Sequence, residues 1–284
     1  MTTRGAAREE AIARLRAAGD PTAALDADLL LAHVCGISKE ALYAHGDARL
    51  SGRQRAEYDE LVRRRGEGEP VAYLRGWKEF FGLRFAVDPR VLIPRPETEV
   101  LVEAGLAFIE ATERTRVADV GTGSGAVAVA LAAHAPFARV IATDASAEAL
   151  EVARANVAAH GLEERIELRS GDLLEPLGAP VDLLLANLPY LRDDDVAELT
   201  GERTSLRFEP RMAVVAGPDG LDVIRRAVAQ LPARLAAGGA AYFECDPPQA
   251  AEVERLLRET LGAATRAIPD LTGSPRVVEV IRVG

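Results

Sequence analysis

From residue 116 onward, short apolar runs alternate with longer stretches of helical period. The runs at 116–120, 140–143, 166–170, 181–186, 240–245, 264–268 and 277–282 read as strands, and 126–135, 147–159, 221–235 and 249–260 as the helices between most of them. This alternation predicts an α/β unit with a doubly wound, mostly parallel sheet that binds ligands across the carboxyl ends of its strands. Residues 1 to about 70 carry helical stripes only. Ala11, Ile12, Leu15 and Ala18 share one face, closed by Gly19-Asp20-Pro21. Leu25, Leu29, Leu30, Ala32, His33 and Val34 make a second, closed by Gly36. Ser38 caps a short helix through Leu42, and Ser51 opens a more polar one carrying Tyr58, Leu61 and Val62.

Between these regions, Glu67 to Pro70 mark a boundary. VAYLRGWKEF and LRFAVD then flank Phe81-Gly82 and alternate as a β-hairpin does, with Trp77, Phe80 and Phe81 as an apolar plug between two domains. In VLIPRPETEVLVE the two prolines, Pro94 and Pro96, force an extended entry, and a helix starts at Glu97 or Thr98 with Leu101, Val102, Gly105, Leu106 and Ile109 on its buried face. Arg95, Glu97 and Glu99 on this stiff loop suit either a wall of a ligand site or a helix cap.

The chemistry concentrates where strands end. Val117 to Leu131 reads VADVGTGSGAVAVAL: a strand, a tight glycine turn and a helix start, where backbone N–H groups face a ligand. Gly121, Gly123 and Ala126 satisfy the dinucleotide pattern, while Asp119 with Gly121, Thr122, Gly123, Ser124 and Gly125 equally fits the Asp-x-Gly-x-Gly turn of S-adenosylmethionine enzymes. Asp144, about 20 residues past the turn, is placed to accept from two ribose hydroxyls. Asp172 and Leu173 are placed for an adenine amino group and its ring. The fourth strand runs into Asn187-Leu188-Pro189-Tyr190. There the Asn187 oxygen and the Leu188 carbonyl can accept both N–H bonds of a planar NH2 group, Pro189 keeps Leu188 extended, and Tyr190 can stack. Such a clamp suits methyl transfer better than hydride transfer.

Composition narrows the picture. A chain of 284 residues at 48% hydrophobic and 27% charged is globular, with room for two domains. No apolar run reaches the length of a membrane span, and the N-terminus lacks a signal-peptide core, so a cytoplasmic protein without membrane contact is expected. Cys35 and Cys245 are too few and too far apart for a disulfide framework or a zinc site, and no metal is expected. A net charge of -10 disfavours direct nucleic-acid binding; Arg63-Arg64-Arg65 with Arg53 and Arg55 reads as a solvated helix end.

Taken together, EPVAYLRGWKEFFGLRFAVDPRVLIPRPETEVLVE, DVGTGSGAVAVALA, GDLLEPL, ANLPY, FEPRMAVVAGPDGLDVIRR and DLTGSPRVVEV resemble the PrmC/HemK family of release-factor glutamine methyltransferases from Glu69 to the C-terminus, with a weaker helical match before it. The resemblance implies a class I S-adenosylmethionine-dependent methyltransferase fold, Rossmann-like and seven-stranded with an antiparallel last strand. Its domains are then 1–70, a small helical substrate-recognition domain; 71–90, a hairpin linker; and 91–284, the methyltransferase domain. It implies methyl transfer to the side-chain amide nitrogen of the glutamine in the Gly-Gly-Gln motif of peptide chain release factors; a monomer is expected. Asp119, Gly121 to Gly125, Asp144, Asp172, Leu173 and Asn187 would bind the cofactor. Asn187, Leu188, Pro189 and Tyr190 would hold the glutamine, with Asn187, Pro189 and Tyr190 as the catalytic set. An adenine N6-methyltransferase and a non-catalytic binding module are the alternatives. Three departures stand out: Leu188 where the family has proline, Cys245-Asp246 where it has Ile-Gly, with a left-handed backbone expected at Asp246, and Ala216-Gly217 where it has a glycine pair.

Overall fold

The computed structural model describes residues 2–195 and 205–283, which divide into two compact units: 2–77 with 205–208, and 78–195 with 209–283.

The first unit is helical: α1 Arg4–Ala17, α2 Ala23–Cys35, α3 Lys39–Ala44, α4 Gly52–Gly66 and α5 Val71–Arg75. Local signals place the starts. Thr3 and Ser38 cap α1 and α3, and Ser51 with Gln54 forms a reciprocal capping box on α4. Ala11, Ile12, Leu15, Leu30, Leu31, Tyr58 and Val62 form the core. The buried face of α2 differs from the expected stripe. It carries Ala23, Ala27, Leu30 and Leu31 with Asp26 and Asp28, while Leu25 is exposed. These two acids turn inward because arginines from other helices meet them: Arg65 Nε donates to Asp26 at 2.7 Å, and Arg8 Nε to Asp28 at 2.5 Å. Arg55, Arg63 and Arg64 are ion-paired as well, with Asp59, Glu60 and Glu69 among their partners, so these arginines are not a bare basic patch. Val71–Arg75 was expected as strand. It forms a helical turn that Gly76 ends in the left-handed region, and the hairpin starts only at Trp77.

That hairpin, which falls in the second unit from Lys78 onward, is β1 Trp77–Phe80 and β2 Leu83–Ala86, joined by Phe81 and Gly82, both at positive φ as a tight two-residue turn requires. Phe80 and Phe85 pack into the main core, and His134 and His160 stand edge-on to Phe81 and tilted against Phe85, which accounts for both histidines as packing residues. A 3-10 turn, Pro96–Thr98, leads into α6 Glu99–Thr112. Then follow β3 Arg116–Val120, α7 Ala126–His134, β4 Arg139–Asp144, α8 Ala147–Ala159, β5 Ile166–Ser170, β6 Val181–Ala186, α9 Asp222–Arg234, β7 Leu235–Glu244, α10 Ala250–Leu261, β8 Thr265–Pro269 and β9 Pro275–Ile281.

The seven strands run in the order β5-β4-β3-β6-β7-β9-β8. The first five are mutually parallel, and β9 is antiparallel to both neighbours. Strand β6 is buried along its whole length. Its Leu183 and Leu185 join one core layer, with α6 and α7; Leu184 and Ala186 join the other, with α9 and α10. The chain climbs outward through β3, β4 and β5, then returns to β6 on the other side of β3. The carboxyl ends of β3 and β6 therefore flank the switch point where such sheets bind ligands. Among the described residues, no helix is long and apolar enough to cross a membrane.

Candidate active site

At that switch point lies a cleft of about 340 Å³, within the range of small-molecule sites. Its wall includes Gly121 and Gly123 after β3, Asp144 and Ser146 after β4, Asp172 and Leu173 after β5, and Asn187, Leu188 and Pro189 after β6. Four consecutive strand ends thus meet in one cavity.

The glycine turn is closed by backbone bonds from Gly121 and Thr122 N–H to the Thr143 carbonyl, both 2.9 Å, and from Gly125 N–H to Thr122 at 2.8 Å. Gly121 has φ +74°, and a Cβ there would stand 2.9 Å from Leu188 Cδ2, so the turn rests directly on the residue that follows Asn187. Asp144 braces the same turn: one carboxylate oxygen accepts from Gly123 N–H and the other from Ser146 N–H, each at 2.8 Å. Burial raises its pKa. A carboxylate has about four lone-pair positions, so these backbone contacts do not use up its accepting capacity.

Asp172 forms an ion pair with Arg226 of α9, and both line the cleft. Leu173 holds φ +52°, a strained value for leucine, secured by the Thr143 hydroxyl donating to its carbonyl at 2.9 Å.

Four residues of the expected cofactor set stand behind the turn instead of facing the cleft. Asp119 is 2% exposed and accepts from the Thr122 hydroxyl at 2.6 Å and from Ala128 N–H at 3.1 Å. It tethers the turn to the first turn of α7, and desolvation pushes its carboxyl up to about 6. Thr122 is spent on this contact. The Ser124 carbonyl accepts from Asn156 Nδ2 at 2.8 Å, and Gly125 gives α8 room to approach through Ala153. A glycine turn packed between two helices must have an inner side, and these residues are it.

On the acceptor side, Asn187 Nδ2 donates to Thr98 Oγ1 at 2.9 Å, which leaves Oδ1 free of that contact. The Tyr190 ring does not line the cleft. It is half-buried against the α9–α10 layer, its hydroxyl donates to Glu244 Oε1 at 3.4 Å, and its carbonyl accepts from Gln249 Nε2 at 2.9 Å. Gln249 also reaches the Asp219 carbonyl at 3.1 Å. Gly220, at φ +74°, lies so close that a Cβ would be 2.1 Å from the Tyr190 carbonyl oxygen. Asp246 is not left-handed, as its place in the motif suggested, but extended at φ -68°. It caps the next turn through a capping box with Gln249, which makes a glycine unnecessary there.

Sequence reasoning missed several contributors. Arg90, Val91 and Leu92 line the cleft, whereas Arg95 and Glu99 are structural: Arg95 pairs with buried Glu209, which also accepts from Ile93 N–H at 3.1 Å, and Glu99 accepts from Phe81 N–H at 2.9 Å. Through Glu209 the FEPR stretch is drawn over the cleft, bringing Pro210, Met212 and Val215 to its wall. The motif was visible, but its partner lies more than a hundred positions earlier. Buried Thr98 and Glu244, which meet Asn187 and Tyr190, carry no local signal of those contacts.

The sheet order and the cleft define a class I methyltransferase. Two solved structures share the fold: the hMettl16 catalytic domain in complex with an RNA hairpin (TM-score 0.56, 18% identity, 83% of this chain and 84% of that one) and a T. thermophilus 16S rRNA methyltransferase in complex with AdoMet and guanosine (TM-score 0.53, 19% identity, 72% and 49%). Residues 6–76 match the PrmC N-terminal domain, and 98–204 the methyltransferase small domain. A release factor glutamine methyltransferase of Deinococcus radiodurans is 42% identical over 97% of both chains, and one of Xylella fastidiosa strain 9a5c is 41% identical over 94% of this chain and 96% of that relative. The chain belongs to the release factor glutamine methyltransferase family.

Proposed function

We propose that the protein transfers a methyl group from S-adenosylmethionine to the side-chain amide nitrogen of the glutamine in the Gly-Gly-Gln motif of peptide chain release factors. The observation that carries this reading is that Asn187, Leu188 and Pro189 line the same cleft as Gly121, Gly123 and Asp144. Donor and acceptor positions are thereby side by side. The donor positions fit an adenosyl group: the glycine turn has no side chains to obstruct approach, Asp144 retains lone pairs for ribose hydroxyls, and Leu173 offers an apolar surface to the adenine. Asp172 accepts from the adenine amino group while keeping Arg226.

When bound, S-adenosylmethionine supplies a methyl group already activated on a positively charged sulfur. The chain's own task is to prepare a poor nucleophile. Asn187 Oδ1 and the Leu188 carbonyl accept the two amide N–H bonds, fix the plane of the amide and turn its nitrogen toward the donor, while Pro189 holds the carbonyl's direction. As the new N–C bond forms, one amide proton leaves for water past these acceptors. No buried base is required. Tyr190 acts from behind the clamp, through its backbone and hydroxyl.

The first unit recognises the release factor, which agrees with its match to the PrmC N-terminal domain. Every residue of the cleft comes from the second unit, so one chain suffices and the enzyme works as a monomer, in the cytoplasm where termination takes place. The test is labelled-methyl transfer to an intact release factor, to its Gly-Gly-Gln variant with the glutamine replaced by alanine, and to RNA. Transfer only to the first is expected. Transfer to RNA, or equal transfer to the variant, would overturn the reading.

A further inference from the structure

The side-chain amide of Asn187 has two chemically opposite ends, and only one orientation makes it a clamp. With Nδ2 turned inward, Oδ1 can accept an N–H from the cleft; turned over, it would present a second donor to a group that is itself a donor. What selects the orientation is buried. Nδ2 donates to Thr98 Oγ1 at 2.9 Å, and Thr98 is 4% exposed. A threonine hydroxyl has one proton and two lone pairs. Beside it, at the end of β7, lies the carboxylate of Glu244, which is 1% exposed and whose acidity the Thr98 hydroxyl strengthens. Tyr190 serves Oε1 of this carboxylate, while Oε2 has no hydrogen-bond partner. Ionised above about pH 7, this buried carboxylate, with one oxygen lacking a donor, draws the proton of the Thr98 hydroxyl that reaches it. Thr98 can then meet Asn187 only through its lone pairs, which admits Nδ2 and rejects Oδ1.

We propose that Thr98 and Glu244 are positioning residues for methyl transfer: Thr98, its proton directed to Glu244, holds Asn187 with Nδ2 inward and Oδ1 toward the cleft. This rests on the reading of Asn187 as acceptor of the substrate amide. Neither residue touches substrate. A run of contacts from β7 through the start of α6 to the end of β6 sets the polarity of a single side chain.

The test compares Thr98→Val, which keeps the shape and deletes the hydroxyl, with Thr98→Ser, Glu244→Gln and Asn187→Ala. For Thr98→Val, single-turnover transfer should fall about tenfold or more, the scale of one lost hydrogen bond, with release-factor KM and calorimetric S-adenosylmethionine affinity within about twofold. Thr98→Ser should recover to within about threefold, and Glu244→Gln, which can turn either end of its amide to Thr98, should lose rate in the same direction. An independent readout is the Asn187 side-chain NH2 signal in nitrogen-15 spectra. One slowly exchanging proton is expected in the native protein and in Thr98→Ser, and its protection should be lost in Thr98→Val. Wild-type transfer by Thr98→Val beside an inactive Asn187→Ala would overturn the positioning role and leave the clamp intact. Two freely exchanging protons in the native protein would overturn it without any variant. Normal transfer by Asn187→Ala would remove the clamp itself.

Discussion

Glu244 gives the sharpest prediction about stability. Its side chain ends β7 inside the core, with Oε2 unpartnered. Burial is the largest influence on its carboxyl, opposed by Thr98, the charge of Arg276 and Tyr190 and reinforced by Glu97; together they push it up to about 7 from an ordinary 4.5. The folded protein therefore binds this proton more tightly than the unfolded chain. The stability it contributes is complete below 4.5 and is lost as pH rises through about 7. At about 1.4 kcal/mol per pH unit across that interval, ionisation costs about 3 kcal/mol. Glu244→Gln stays neutral and escapes the cost. Denaturant unfolding of both proteins, followed by circular dichroism from pH 5 to 8, should show the variant gaining most of about 3 kcal/mol relative to the parent as pH rises. A carbon-13 titration of the native protein should place this carboxyl's midpoint near 7. Parallel stability curves, or a midpoint near 4.5, would refute the reasoning.

Three further predictions concern the cleft. Asp144→Ala removes charged acceptors from Gly123 and Ser146 and from ribose hydroxyls, so calorimetry should show S-adenosylmethionine binding weakened by about 1.5–3 kcal/mol; unchanged affinity would place the ribose elsewhere. Asn187→Ala should slow single-turnover transfer by on the order of 10²-fold while the cofactor still binds. Gly220→Ala forces a Cβ against the Tyr190 carbonyl at a backbone angle alanine resists, so thermal unfolding should show a loss of about 1–3 kcal/mol and transfer should fall with it.

How much of this was legible beforehand depends on the range over which each feature is encoded. Strand and helix patterns, caps and the glycine turn are local. They depend on residues within a turn or two of one another, and β3, β5, β6 and α8 lie where periodicity alone puts them. Asn187-Leu188-Pro189 is likewise a compact motif at one strand end, and all three residues line the cleft. The short turn at Val71–Arg75 is the local failure: five residues are too few for a helical period to show, and only Gly76 marks its end.

What the tertiary structure alone decided is which way each polar group faces. Asp119 and Asp144 both end strands in the motif and look equivalent on the page. The start of α7 folds back over one and leaves the other at the cleft, so the first tethers the glycine turn from behind and the second lines the cavity. Asp26 and Asp28 are buried in α2 because Arg65 and Arg8 arrive from other helices, and Glu209 is buried because Arg95 and the Ile93 N–H meet it. Thr98 and Glu244 acquire meaning only when β6 and β7 lie side by side. A buried charge or hydroxyl is tolerated where its partner is supplied, and that partner comes from a distant part of the chain through packing, which no window on the sequence contains.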